Sequence, residues 1–171
     1  MRHTLRLHHD SRCDAVRAIQ IDVVRRTGSV LRLDYVASGR MADLVIPAPV
    51  TPHRADKLWE HTCFEVFLRR PGEPGYVEFN FSPAGTWAAY RFASQRRGMA
   101  NLETFTDMPM MVDTGVNSLA LGVTLDLSGL PDLAGDGPWI MGLSTIIEES
   151  NGRKSYWALA HPQGKADFHH P

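Results

Sequence analysis

The sequence predicts an all-β chain: an antiparallel β-sandwich of the jelly-roll or immunoglobulin-like kind, with little helix. Three observations carry that prediction. Apolar residues recur at every second position, most strictly at Leu119, Leu121, Val123, Leu125 and Leu127, which is the period of a strand with one face buried. The alternating runs are short and are separated by Gly, Pro, Asn and Asp, the residues that turn a chain. No long segment repeats apolar residues at the spacing of an amphipathic helix. At 171 residues one domain over 1–171 is expected, long enough to bury a proper core. No repeat, low-complexity stretch or linker divides it.

The elements follow in order. Leu5 and Leu7 alternate with Arg6 and His8. Ile19, Ile21 and Val23 alternate with Gln20 and Asp22, and Thr27-Gly28-Ser29 turns the chain into Leu31, Leu33 and Tyr35. That pair reads as an antiparallel hairpin. Pro47, Pro49 and Pro52 preclude a central strand in the next stretch, because proline cannot donate to a ladder. A short strand near Leu44–Ile46 and an irregular connection are expected there. Residues 59–68, 76–82 and 87–92 read as three consecutive strands, with turns at Pro71–Gly75 and Ser82–Gly85. Residues 94–117 are polar and mixed, and Met108, Met110 and Met111 within them are expected to be packing filler. Residues 129–138 read as a loop. In the last hairpin Asn151-Gly152 is the preferred pair for a two-residue type I′ turn. That turn would set Glu149 opposite Lys154, Glu148 opposite Ser155 and Ile146 opposite Trp157, grouping Glu148, Trp157 and His161 on one face. The aromatic, His-rich end from His161 to Pro171 is expected to pack back onto the body.

Composition narrows the function classes. The formal net charge is -1, so no basic excess is present to hold a phosphate backbone, and nucleic acid is not an expected partner. The short basic runs Arg25-Arg26 and Gln95-Arg96-Arg97 read as solvated turns. The N-terminal ten residues lack the apolar core of a secretory signal, and no apolar run is long enough to span a bilayer. A cytoplasmic location without membrane contact is therefore expected, unless a leader once preceded the chain. Cys13 and Cys63 are far apart in sequence and are expected to be reduced, with Cys63 a small core residue.

The candidate site lies on the middle strands. Glu78, Asn80 and Ser82 fall on one face of their strand, opposite Val77, Phe79 and Phe81. His61, Cys63, Glu65 and Phe67 fall opposite Thr62, Phe64, Val66 and Leu68. Trp59, Trp87 and Arg91 flank the polar face, and Glu148 and Trp157 join it from the last hairpin. Carboxylates, an amide and a guanidinium beside flat rings suit a polar, ring-shaped ligand: the rings take its C–H faces and the two-oxygen groups take adjacent hydroxyls. A solvated sheet face with tryptophans in the core is the plainer alternative. These residues offer three kinds of site. Sugar binding would use Trp59, Glu65, Glu78, Asn80, Trp87, Arg91, Glu148 and Trp157. A metal site would draw on His61, His161, Asp167, His169 and His170, but their spacing matches no metal motif, and none is expected. A glycosidase-like acid pair among Glu65, Glu78 and Glu148 is conceivable geometrically, but the chain shows no nucleophile elbow, phosphate loop or dinucleotide fingerprint, and no catalytic residue is assigned.

The motifs Trp59-Glu-His-Thr-Cys-Phe-Glu-Val-Phe-Leu68 and Tyr76-Val-Glu-Phe-Asn-Phe-Ser-Pro-Ala-Gly-Thr-Trp-Ala-Ala-Tyr-Arg-Phe92 resemble a bacterial DOMON-like domain. So does the ending Tyr156-Trp-Ala-Leu-Ala-His-Pro with Asp167-Phe-His-His. That group falls within the superfamily of type 9 carbohydrate-binding modules and cytochrome-type DOMON domains. The resemblance implies a β-sandwich that binds a ligand on one sheet. The ligand is a sugar between aromatic rings in the type 9 modules, and haem held by Met and His in some DOMON domains. Glu65 matches the acidic residue of the polar strand, and Trp87 matches a later Trp loosely. The methionines here do not align with a haem-ligating Met, so no haem or other cofactor is expected. The expectation is a non-catalytic module for a small polar ligand, most plausibly a saccharide. The alternatives are a cytoplasmic enzyme using the sheet-face carboxylates on a sugar-like substrate, or a haem- or metal-binding DOMON domain.

Overall fold

A computed structural model describes residues 1–26 and 28–169. Thr27 of the first expected turn, and His170 and Pro171 of the expected packed tail, lie outside the described residues. The chain forms the strands β1 (Arg2–Thr4), β2 (Arg6–Leu7), β3 (Val16–Arg25), β4 (Val30–Gly39), β5 (Cys63–Arg69), β6 (Tyr76–Phe81), β7 (Trp87–Phe92), β8 (Ala100–Asn101), β9 (Met110–Thr114), β10 (Ser118–Asp126), β11 (Ile140–Glu148) and β12 (Lys154–Ala158). Helix is confined to two single 3-10 turns, Met41–Asp43 and Leu58–Glu60.

The strands make two antiparallel sheets. One has five strands in the order β1-β3-β4-β10-β9, the other seven in the order β2-β12-β11-β5-β6-β7-β8. Their inner faces share one apolar core, with Ile19, Leu31, Leu33 and Leu121 from the first and Phe64, Val66, Phe79 and Trp157 from the second. The Tyr35 hydroxyl crosses the layer and donates to the carbonyl of Glu65 at 3.0 Å. This is the predicted β-sandwich, and its cause is the period of two. Each alternating run presents one apolar stripe, and two such stripes close on each other.

Several elements differ from the sequence reading. A strand, β9, occupies Met110–Thr114 and pairs with β10 where none was expected. Of its neighbouring methionines, Met108 fills the core and Met111 is exposed. The 129–138 loop buries Leu130 and Leu133 in the core. Arg70 holds it by donating to the carbonyls of Asp132, Ala134 and Pro138, and Arg25 by donating to those of Gly135 and Gly137. Residues 44–46 contribute only an isolated bridge, Leu44 with Glu149.

The last hairpin departs most consequentially. Its loop has three residues rather than two. The amide of Glu149 donates to the Arg153 carbonyl at 2.9 Å, and the amide of Gly152 to the Glu149 carbonyl at 2.8 Å. Gly152 takes the left-handed φ of 81° that the bulged three-residue turn requires and that glycine adopts without strain. The register becomes Glu148 opposite Lys154, Ile146 opposite Tyr156 and Thr145 opposite Trp157. A shift of one residue turns every side chain to the other face. Tyr156 therefore stands on the outer face in the place expected for Trp157, and Trp157 enters the core.

Candidate functional site

The outer face of the seven-stranded sheet collects the polar residues. Register aligns Ser144, Glu65 and Asn80 in one row across β11, β5 and β6, and Gly142, Phe67, Glu78 and Tyr90 in the next. Glu65, Glu78 and Asn80 thus meet on one surface, as the alternation of β5 and β6 requires. That surface is buried: Glu65 is 2%, Glu78 4% and Asn80 0% exposed.

Two segments cover it. The turn Leu58–Glu60 brings Trp59 against the edge, its ring 6.0 Å from that of Tyr90 and inclined to it by 66°. The Tyr90 hydroxyl donates to Asp56 at 2.7 Å. The C-terminal segment crosses from the other side. His169 sits among Phe67, Tyr76 and Phe92, 5.3 to 5.8 Å between ring centres, and its Nδ1 meets the Tyr76 hydroxyl at 2.6 Å. Since the Tyr76 oxygen accepts the Arg96 amide at 3.3 Å, the tyrosine proton is free to point at the imidazole. Asp167 accepts from Arg96 at 2.8 Å and from Gln95 at 3.2 Å.

Between these covers a cavity of about 350 Å³ opens over the carboxyls of Glu65 and Glu78, walled by Trp59, Phe92, Tyr156 and Phe168, with Arg96 and His169 at its side. A second, more apolar cavity of about 620 Å³ lies across Phe168 and His169 on the same face, lined by Phe67, Tyr76, Met141 and Leu143 among others. Both volumes are in the range of small-molecule sites. The smaller one holds the chemistry, because it alone contains the two carboxyls. Two described non-glycine residues have left-handed backbone: Arg96 of the cavity wall (φ 56°) and Lys57 (φ 59°), which caps the turn carrying Trp59. Non-glycine residues take that conformation at a cost and only where the surroundings hold them.

The electrostatics follow from burial. Removal from water raises Glu65 to about 8, with the neighbouring Glu78 charge adding to the rise and the Ser144 hydroxyl, donating at 2.6 Å, opposing it. Glu78 rises to about 7 by burial, against the Asn80 amide, which donates to its Oε1 at 2.7 Å, and against the Arg96 charge. Its Oε2 is buried with no hydrogen-bond partner. His169 falls to about 4, chiefly through burial, with Arg96 assisting and Asp167 opposing. Near neutral pH the imidazole is uncharged and serves as an acceptor.

Other expected site residues are placed elsewhere. Trp87 and Trp157 belong to the core between the sheets, and the Arg54 guanidinium lies 4.6 Å over the Trp87 ring. Both indoles lie on the odd-numbered face of their strands, opposite the cavity. Arg91 is on that same opposite side of β7 from Tyr90 and pairs with Asp132. Glu148 shares the outer face but stands at the end of β11, where it meets His61 Nδ1 at 2.7 Å, outside both cavities. Conversely, Phe92, Arg96, Tyr156, Phe168 and His169 line the smaller cavity without having been assigned to it. Only the aromatic character of the C-terminal segment signalled any of them. Arg96, expected to be a solvated turn residue, is exposed, but its ion pair with Asp167 holds it at the cavity wall.

One group of potential metal ligands occurs among the described residues, His8, His9 and Asp10, with one ligand atom from each within 4.8 Å of the others. The Asp10 amide donates to His8 Nδ1 at 3.2 Å, and His8 Nε2 is buried without a hydrogen-bond partner. No described helix is long and apolar enough to cross a membrane.

No protein-family model and no curated protein matches this chain. Among solved structures it is similar to a crystal structure of a candidate carbohydrate-binding protein from Bacteroides uniformis ATCC 8492. The TM-score is 0.64 with 16% identity, over 100% of this chain and 82% of that one. At that identity the likeness is one of fold: the chain shares its two-sheet architecture with this protein.

Proposed function

We propose that the chain is a non-catalytic saccharide-binding module of the DOMON-like kind, acting in the cytoplasm as one domain, and that its ligand occupies the cavity over Glu65 and Glu78. One observation carries the reading: two buried carboxyls and a half-buried tryptophan converge on a single ring-walled cavity of about 350 Å³. Carboxyls accept or share hydrogen bonds with vicinal hydroxyls, and Trp59 and Tyr156 offer faces for the C–H side of a sugar ring. The similarity of fold to a candidate carbohydrate-binding protein supports the same reading. In this site Glu65, Glu78 and Trp59 contact ligand, Asn80 positions Glu78, and Trp87, Trp157, Arg91 and Glu148 are structural.

The test is a glycan array followed by calorimetry on the binders. Trp59→Ala should weaken binding about tenfold, an effect in the range of one aromatic contact. An array without binders would sink the reading. The raised pair Glu65 and Glu78 favours one second reading, a hydrolase in which one carboxyl is kept protonated as an acid near neutral pH. Turnover of any glycoside, abolished by Glu78→Gln, would establish that reading in place of the first.

A further inference from the structure

We infer that the cavity over Glu65 and Glu78 selects a ligand bearing a primary ammonium group, so that the preferred saccharide is an amino sugar; this rests on the saccharide reading above and narrows it. Four features of the cavity support the choice. Glu78 lines the cavity, and its Oε2 is buried with no donor. An unpaired buried carboxyl oxygen is costly to leave so, and a ligand donor placed there recovers that cost. Second, the two acidic groups share the cavity with a single described guanidinium, that of Arg96. Arg96 is committed to Asp167 at 2.8 Å. His169 Nδ1 is 3.8 Å from Glu78 Oε2, but that nitrogen is engaged by the Tyr76 hydroxyl.

Third, the walls are ring faces and edges: Trp59, Phe92, Tyr156 and Phe168. A cation among such rings is stabilised by their negative faces, most strongly where water is excluded. A neutral hydroxyl gains no such term. Fourth, an ammonium has three N–H donors, enough to reach Glu78 Oε2 and a free oxygen of Glu65 together. Its positive charge also favours the ionised carboxyls, against the burial that raises both and the Glu78 charge that adds to the rise of Glu65. Glucose and N-acetylated sugars supply donors but no positive charge, so they satisfy the orphan oxygen without favouring the ionised form of either acid.

Titration of the full chain by calorimetry at pH 7, with D-glucosamine, D-glucose, N-acetyl-D-glucosamine and ethanolamine as separate probes, tests this. Glucosamine should bind at least tenfold more tightly than glucose or the N-acetyl sugar. Glu78→Gln should reduce that preference to threefold or less. Equal affinity for glucose and glucosamine overturns the ammonium inference and leaves the saccharide reading standing. Binding of ethanolamine with no sugar bound at all supports the ammonium site and overturns the saccharide reading. Silence toward all four overturns both. Should Glu78→Gln fail to fold, the comparison of glucosamine with glucose on the unaltered chain still decides.

Discussion

The two sheets turn opposite kinds of outer face to their surroundings, although both are built from the same alternation. On the five-stranded sheet the outward residues are Arg32, Asp34 and their neighbours. Arg2 pairs with Asp22, and Arg32 with Asp34, in water. Gly122 lies directly across from Asp34, and a Cβ there would stand 2.3 Å from the Arg32 guanidinium. The glycine lets that pair lie flat over the strand. On the seven-stranded sheet the outward residues Glu65, Glu78 and Asn80 are also acidic or polar, but Trp59 and the C-terminal segment cover them. The same residue types therefore do different physical work. Exposed pairs on the first sheet are screened and close to neutral in stability. The second sheet's carboxyls are held away from water, rise to about 8 and about 7, and keep free bonding capacity for a ligand. Cover, and not residue type, separates the two polar faces.

That contrast can be broken at graded points. The largest effect belongs to the core shared by both sheets. Trp87→Ala should cost about 3–5 kcal/mol, as large aromatics in cores do, read as a drop in the urea midpoint at constant slope. Trp59→Ala, a half-buried ring at the edge of the cavity, should cost far less in the same measurement. Equal losses would mean that the two indoles do not differ in role as their positions imply.

Next is Glu65→Gln. The folded carboxyl is raised above its ordinary value of 4.5, to about 8, so the folded state binds a proton that the unfolded state has lost. The penalty is absent below about pH 4.5, grows between there and pH 8, and is constant above. The glutamine variant should therefore gain stability on the unaltered chain by roughly 4 kcal/mol between pH 5 and pH 9, measured as the difference of two denaturation curves at each pH. A pH-independent difference would contradict the burial of this group.

His169 gives a smaller effect of opposite sense. Its value is depressed from 6.5 to about 4. The stabilisation from its neutral, docked form is complete above about pH 6.5 and is lost as the pH falls through 4. Docking of residues 166–169 should weaken by about 1–3 kcal/mol over that interval, seen as faster amide exchange in this segment while the β3 and β4 amides stay protected. The smallest effect is expected on the solvated face. Asp34→Asn should change stability by less than about 1 kcal/mol, and less still at high salt. A larger loss there would erase the distinction between the sheets.

The sequence by itself determined the all-β class, the antiparallel strands from Val16 to Gly39 and Cys63 to Phe92, and the meeting of Glu65, Glu78 and Asn80 on one face. Each follows from the period of two, which is local and is carried by the side chains themselves. Tertiary structure decided which polar face became covered, because coverage comes from segments far away in the chain. Trp59 arrives from a turn, Phe168 and His169 from the C-terminal end, and Tyr156 from a strand whose register depends on one extra loop residue at Gly152. The two-residue turn suggested by Asn151-Gly152 and the three-residue turn that formed differ by one position, and that one position exchanges Trp157 for Tyr156 on the outer face. Burial of Trp87 was likewise not legible: a tryptophan reads alike in sequence whether it stacks on a ligand or fills a core, and only the opposing sheet, with Arg54 over the ring, makes it the latter.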